Sequence, residues 1–383
     1  MPFRKLLFWA HLAAGLAIGC VILSMALSGL LLAFEPQITD WSEKRVRWVD
    51  APAGDARRVG LDAMLAAARA EIPGPAPMEV KLWSDPLASV SINLGKDKGS
   101  VYVNPYSGQV MGRDSRAYFF LRQVEEWHRW LASKKIWKPV IDAVSLAFVF
   151  MILSGLFLWW PRRWTQAALR AIAVPKTGLS GKARDWNWHN AVGLWSAPLL
   201  LVIALTGTVI GYRWANDLLF VLTGNTPPPK PVEAKRASQG PIPMNLEALM
   251  AAAQNQIQPR ETDGTRPGKE GPGWASISLR LPQKADAPAL ALIQAPGLWG
   301  QYTRSQLTLS AVSAEVLKWE PYSGYNLGRK LRGWMVPIHT GRAGGLPGQI
   351  LAAAAACAAL VLVWTGLALS WRRFFKAKPR EAP

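Results

Sequence analysis

The sequence predicts an integral membrane α+β protein, with four transmembrane helices from a parallel internal duplication and two α+β domains outside the membrane. Three observations carry this prediction. Four stretches are apolar over the roughly 20 residues that a helix needs to cross a bilayer. Basic residues gather in the shortest connections between those stretches. Matching residues recur at fixed offsets along the chain.

The first apolar run, Leu6 to Phe34, follows Arg4 and Lys5 and passes Gly19-Cys20, which faintly resembles a lipoprotein cleavage site. It far exceeds the roughly 7–15 residue core of a cleaved signal, so it reads as a retained helix. The other runs are Pro139 to Trp160 (interrupted only by Asp142), Ala191 to Tyr212, and Leu346 to Trp371. Of the net charge of +19, +11 falls in residues 1–5, 161–185 and 372–383. Short basic segments face the cytoplasm, so both termini are expected there and the long connections outside.

The expected organisation follows in chain order. A transmembrane helix spans 6–36, an outer domain 37–126, and an outer His-bearing segment with the second helix 127–161. A cytoplasmic loop spans 162–185 and the third helix 186–214. A second outer domain spans 215–333, a second His-bearing segment with the fourth helix 334–371, and a cytoplasmic tail 372–383. Topology accounts for the basic surplus, which removes nucleic acid as a partner and leaves membrane lipid as the surroundings.

The duplication is legible in matched residues. His11, Gly15 and Ser28-Gly29 match His189, Gly193 and Thr206-Gly207 at an offset of 178. His128 and Ser154-Gly155 match His339 and Thr365-Gly366 at an offset of 211. Pro105-Tyr106-Ser107-Gly108, with Gly112-Arg113, matches Pro321-Tyr322-Ser323-Gly324, with Gly328-Arg329, at an offset of 216. Each outer domain is expected to hold an Ala-rich helix (Leu61 to Ala70; Leu246 to Ala253) followed by alternating strands. Those strands are Glu79 to Trp83, Val90 to Leu94 and Val101 to Val103, then Ala275 to Leu281, Ala289 to Gln294, Gln306 to Leu309 and Val316 to Trp319. Each Pro-Tyr-Ser-Gly segment is expected to close the last strand. The Pro-rich run 226–231 and the Gly/Pro-rich run 264–273 read as loops.

Two Cys and four His leave no disulfide scaffold, cysteine-rich zinc module or iron-sulfur cluster, and no C-x-x-C-H for covalent haem occurs. All four His occupy duplicated positions. A symmetry axis pairs His11 with His189 on the cytoplasmic side and His128 with His339 on the outer side. The 25 residues from His11 to Pro36 cover about 37 Å, so the two pairs cannot share one metal. Zinc needs three or four protein ligands. Haem iron needs only axial ligands, which two His supply, and a helical bundle suits its apolar face. Two bis-His haem b groups are therefore expected, with Gly15 and Gly193 giving the macrocycle room. In a continuous helix, His128 would stand about 15 Å from Pro139, whereas Gly341 to Gly348 predicts a break that folds His339 back.

The His-x-x-x-Gly spans, the Pro-Tyr-Ser-Gly turns, and the Trp127-His128-Arg129-Trp130 and Ile338-His339-Thr340-Gly341 segments together resemble the PepSY-associated transmembrane family of bacterial inner membranes. Within it, the likeness is to the FoxB-type ferric-siderophore reductases, and it covers essentially the whole chain. This resemblance implies two PepSY-like periplasmic domains, two haems and one-electron reduction of a periplasmic ferric hydroxamate-type siderophore, releasing Fe(II) for iron uptake. It implies His11, His128, His189 and His339 as the axial ligands of the haem iron, with no catalytic residue beyond them. The cytoplasmic segments are too short for a flavin or nicotinamide domain, so a quinol or a separate cytoplasmic reductase is the expected donor. Alternatives are a non-enzymatic protein that binds or senses a periplasmic ligand, and a haem reductase acting on a periplasmic protein or on copper.

Overall fold

The computed structural model describes residues 2–50, 57–72, 77–95, 98–131, 133–161, 164–227, 245–257, 273–282, 287–297 and 299–375. Most of the two expected loops, and the tail from residue 376, lie outside the described residues. The helices are α1 (Pro2–Leu32), α2 (Glu35–Ser42), α3 (Lys44–Arg47), α4 (Leu61–Glu71), α5 (Arg116–Trp130), α6 (Lys134–Trp159), α7 (Gln166–Ala173), α8 (Gly181–Gly211), α9 (Arg213–Leu222), α10 (Leu246–Asn255), α11 (Leu327–His339) and α12 (Gly345–Phe374). The strands are β1 (Glu79–Trp83), β2 (Val90–Asn93), β3 (Ser100–Val103), β4 (Val110–Arg113), β5 (Ser276–Arg280), β6 (Ala289–Gln294), β7 (Arg304–Leu309) and β8 (Val316–Glu320). The chain divides into two compact units.

One unit comprises Met1–Glu35, Leu121–Thr226 and Trp334–Pro383. It contains four helices long and apolar enough to cross a membrane: α1, α6, α8, and α12 with the turn before it. They pack in the ring α1, α6, α8, α12 and back to α1. Small side chains such as Ala26, Ala197, Ala204, Ala355 and Ala359 fill the centre beside Ile152 and Leu200. Without a hydrophobic force between helices in lipid, such residues associate spans by letting backbones approach closely. Leu16, Leu27, Leu153, Leu205 and Leu351 face outward and exposed. That arrangement would be costly in water and is the expected one against hydrocarbon.

Two breaks shape this unit. The φ of +41° at Leu131 separates α5 from α6, and Gly341, at φ +74°, separates α11 from α12. A Cβ on Gly341 would come within 2.3 Å of the Gly348 carbonyl oxygen, so only glycine fits the second turn. The break expected at Gly341 to Gly348 is present. A similar break after α5 means that His128 does not continue the axis of α6.

The other unit, Pro36–Phe120 with Pro227–Gly333, is built on one antiparallel sheet of order β4-β3-β2-β1-β5-β6-β7-β8. The strand sets that the sequence placed in two domains meet at β1 and β5, in register from Glu79↔Arg280 to Trp83↔Ser276. Pairing removes the edge that each set would otherwise present. On one face, Val80, Leu82, Ile277, Leu279, Ile293 and Leu307 pack against Met64, Leu65 and Ala68 of α4 and Leu246, Leu249 and Met250 of α10. Asn245 caps α10 through the amide of Ala248 at 2.9 Å. Glu247 accepts from the amide of Leu61 at the start of α4, where a carboxylate also suits the helix dipole.

The two Pro-Tyr-Ser-Gly segments, expected to be equivalent, occupy different places in the fold. The first copy forms the turn between β3 and β4, a strand the sequence reading lacked, whereas the second follows β8 as a short 3₁₀ turn. The structural counterpart of Asn104 to Gly108 is instead Ser310 to Ala314. Both turns are closed by two matching backbone hydrogen bonds, and both end on a positive φ, +71° at Gly108 and +57° at Ala314. Each also follows a register shift, at Tyr102/Val103 and Thr308/Leu309. Four shared letters outweighed strand position because nothing in Ser310 to Ala314 advertises a turn as Pro and Gly do.

Candidate functional site

The four histidines lie in the helical unit, in two pairs. His11 on α1 and His189 on α8 line one cavity of about 870 Å³, within the span of small-molecule and cofactor pockets. His128, in the last turn of α5, and His339, the last residue of α11, have ring centroids 6.4 Å apart and planes at 64°. The sequence-derived pairing is therefore the one the fold brings together.

Each imidazole rests on a hydroxyl-glycine dipeptide of another helix. His11 Nδ1 is 2.8 Å from Ser154 Oγ, and His189 Nδ1 is 2.9 Å from Thr365 Oγ1. His128 Nδ1 is 2.9 Å from Ser28 Oγ, and His339 Nδ1 is 3.2 Å from Thr206 Oγ1. The glycine that follows each hydroxyl makes room for the ring. A Cβ at Gly155, Gly366, Gly29 or Gly207 would stand 3.4, 3.4, 3.3 or 3.2 Å from the Cε1 of His11, His189, His128 or His339.

The hydroxyls also decide the tautomer. Each has a single proton and donates it to a carbonyl of its own helix: Ser28 to Ser24 at 2.8 Å, Ser154 to Met151 at 3.2 Å, Thr206 to Val202 at 2.7 Å, and Thr365 to Val361 at 2.7 Å. A hydroxyl whose proton is committed can only accept, so Nδ1 carries the imidazole hydrogen. The lone pair is left on Nε2, the arrangement of a metal-ligating histidine whose other nitrogen is held. Burial, reinforced by the neighbouring His339, pushes His128 down to about 4. Burial also lowers His339, so the outer pair is neutral at pH 7 and both nitrogens that could bind metal are unprotonated.

The cations around the His11/His189 cavity divide into committed and uncommitted ones. Arg4 donates to the carbonyls of Leu158 and Trp160 at 2.5 and 3.0 Å. Arg372 joins Arg184 on the buried Asp185, and Arg373 lies over the rings of Phe8 and Trp9 at 5.0 and 4.8 Å. Lys5 and Lys182 line the same cavity, are exposed, and meet no acid among the described residues. Elsewhere, Arg129 pairs with Glu125 at 3.1 Å and Arg342 with Glu35 at 2.5 Å. Asp142, the acid inside the second apolar run, is held by Lys138. Trp127 donates to Ser24 at 2.8 Å, which ties it to α1.

Gly15 and Gly193 line the cavity as expected, although a Cβ on Gly15 would meet the Met151 methyl at 3.1 Å. Ser28, Thr206, Ser154 and Thr365 were visible as repeated letters in the sequence, without a role. Their signal was the Ser/Thr-Gly dipeptide recurring at the same offset as each histidine.

A family model described as the PepSY-associated TM region matches residues 8–373. The chain belongs to the PepSY-associated transmembrane family. No curated protein matches its sequence. In this PepSY-associated membrane protein, all four histidines and their hydroxyl-glycine partners fall inside the matched span.

Two histidines per site do not satisfy zinc, which takes three or four protein ligands, and no group of three His, Cys, Asp or Glu gathers among the described residues. Haem, which asks the protein only for axial ligands, fits the residues present.

Proposed function

We propose that this membrane protein is a haem-dependent reductase of the bacterial inner membrane that reduces a periplasmic ferric hydroxamate-type siderophore, releasing Fe(II) for uptake. The observation that carries the reading is the repeated histidine geometry: two pairs, each imidazole fixed through Nδ1 and offering Nε2. In this reading the chain is two copies of one helix-domain-helix unit with both termini cytoplasmic, and its FoxB-type likeness supplies the substrate class.

His11 and His189 would hold one haem b and His128 and His339 a second. When bound, haem supplies reversible one-electron iron chemistry at a potential set by its axial ligands and surroundings. The protein's own work is then to fix four imidazoles, to keep water from the cavity with the apolar side chains of α1, α6, α8 and α12, and to balance charge. Lys5 and Lys182 are the cations left to meet carboxylates at the mouth of the His11/His189 cavity. A quinol or a separate cytoplasmic reductase supplies the electrons, one for each Fe(III) reduced to Fe(II).

The test is the visible spectrum of protein purified from haem-replete cells, before and after dithionite. Two b-type centres per chain are expected, and a colourless preparation overturns the reading. His128→Ala should lose the outer centre and siderophore reduction while keeping the centre at His11 and His189. Undiminished reduction in that variant would overturn the assigned path.

A further inference from the structure

The four hydroxyls that hold the imidazoles are equivalent in sequence, yet their histidines do not have the same second choice of acceptor. His339 Nδ1 is also 2.9 Å from the Ile203 carbonyl oxygen. His128 has a backbone hydrogen bond to Met25, and His189 has one to Leu362. Among the described residues, His11 has Ser154 alone.

We infer that Ser154 is the positioning residue that sets haem affinity and reduction potential at the His11/His189 pair, whereas the equivalent Ser28, Thr206 and Thr365 are each backed by a carbonyl oxygen that can take over. This rests on the haem reading above. A hydrogen bond donated by Nδ1 makes Nε2 the stronger electron donor, which favours ferric over ferrous iron and lowers the potential. Loss of a hydroxyl leaves His128, His189 and His339 a carbonyl oxygen to turn to. Loss of Ser154 leaves His11 none, and both the tautomer and the ring orientation become unfixed.

The experiment pairs Thr and Val at one position, because the two are nearly isosteric and differ in the acceptor. Thr365 occupies the position in the second sequence copy that Ser154 occupies in the first, so Ser154→Thr should keep wild-type haemin affinity and potential. Ser154→Val should weaken haemin binding to the full-length apoprotein by about 10- to 100-fold, the usual cost of removing an outer-shell partner. It should also raise the potential of the centre that remains on reconstitution. Thr365→Val and Thr206→Val should change affinity far less than Ser154→Val does, because a carbonyl takes over.

Haemin titration and potentiometry read affinity and potential without any turnover assay. Equal behaviour of Ser154→Val and Ser154→Thr overturns the inference, and so does an effect of the same size at all three valine positions. A wild-type protein that binds no haemin overturns the haem reading itself, a different result from a wild-type that binds while its variants match it.

Discussion

Lys81 has its Nζ 3.8 Å above the ring centre of Trp83, on the sheet face away from α4 and α10. Burial, with Arg304 and Arg47 adding to it and Glu79 opposing, pushes this half-buried ammonium down to about 8. The unfolded chain, with an ordinary lysine near 10.5, therefore binds more protons than the folded one between about pH 8 and 10.5. The stability of the sheet unit should rise with pH across that window, and Lys81→Met should remove the rise and stabilise the unit at pH 7, as read in thermal melts at pH 7 and 10. A slope unchanged by the substitution would contradict the assignment. At this scale the sequence showed which residues are rare and repeated, but not what they touch. Ser154 and His11 are 143 positions apart, and no local pattern announces a contact made only once two helices pack.

Periodicity revealed the helices and most strands, since apolar runs and alternation are local properties. What escaped was decided by pairing. β4 has a half-buried, glycine-containing sequence with little strand signature, and it exists because β3 offers it a ladder. The fusion of two strand sets into one sheet likewise depends on the match between Glu79 to Trp83 and Ser276 to Arg280. Leu279 is fully buried at that junction, so Leu279→Ala should cost about 2–5 kcal/mol. Because β1 shares its ladder with β5, hydrogen exchange should quicken in β1 and β2 as well as in β5 and β6. Loss of protection confined to β5 through β8 would show that the two halves of the sheet melt independently.

For the molecule as a whole, composition and charge segregation were enough to read a membrane protein with four spans; the structure has, among the described residues, four helices long and apolar enough to cross a membrane, and the family match over residues 8–373 is to a transmembrane region. The single sheet could not be read at this level, because two edge strands that will meet look the same as two that will not. Gly29, where a Cβ would stand 3.3 Å from the His128 ring, lies eighteen residues beyond His11 on α1, or about 27 Å along the helix axis, close to the roughly 30 Å of a bilayer's hydrocarbon core. In the proposed reading, a charge passed between the histidine pairs would cross most of the transmembrane voltage, worth about 2.3 kcal/mol per elementary charge at 100 mV. In the proposed orientation an electron would travel outward, from the negative to the positive side, so an energised membrane would drive the transfer. In proteoliposomes, collapsing an inside-negative potassium diffusion potential should slow reduction of an external ferric chelate, and a rate indifferent to voltage would mean that the electron does not cross between the two pairs.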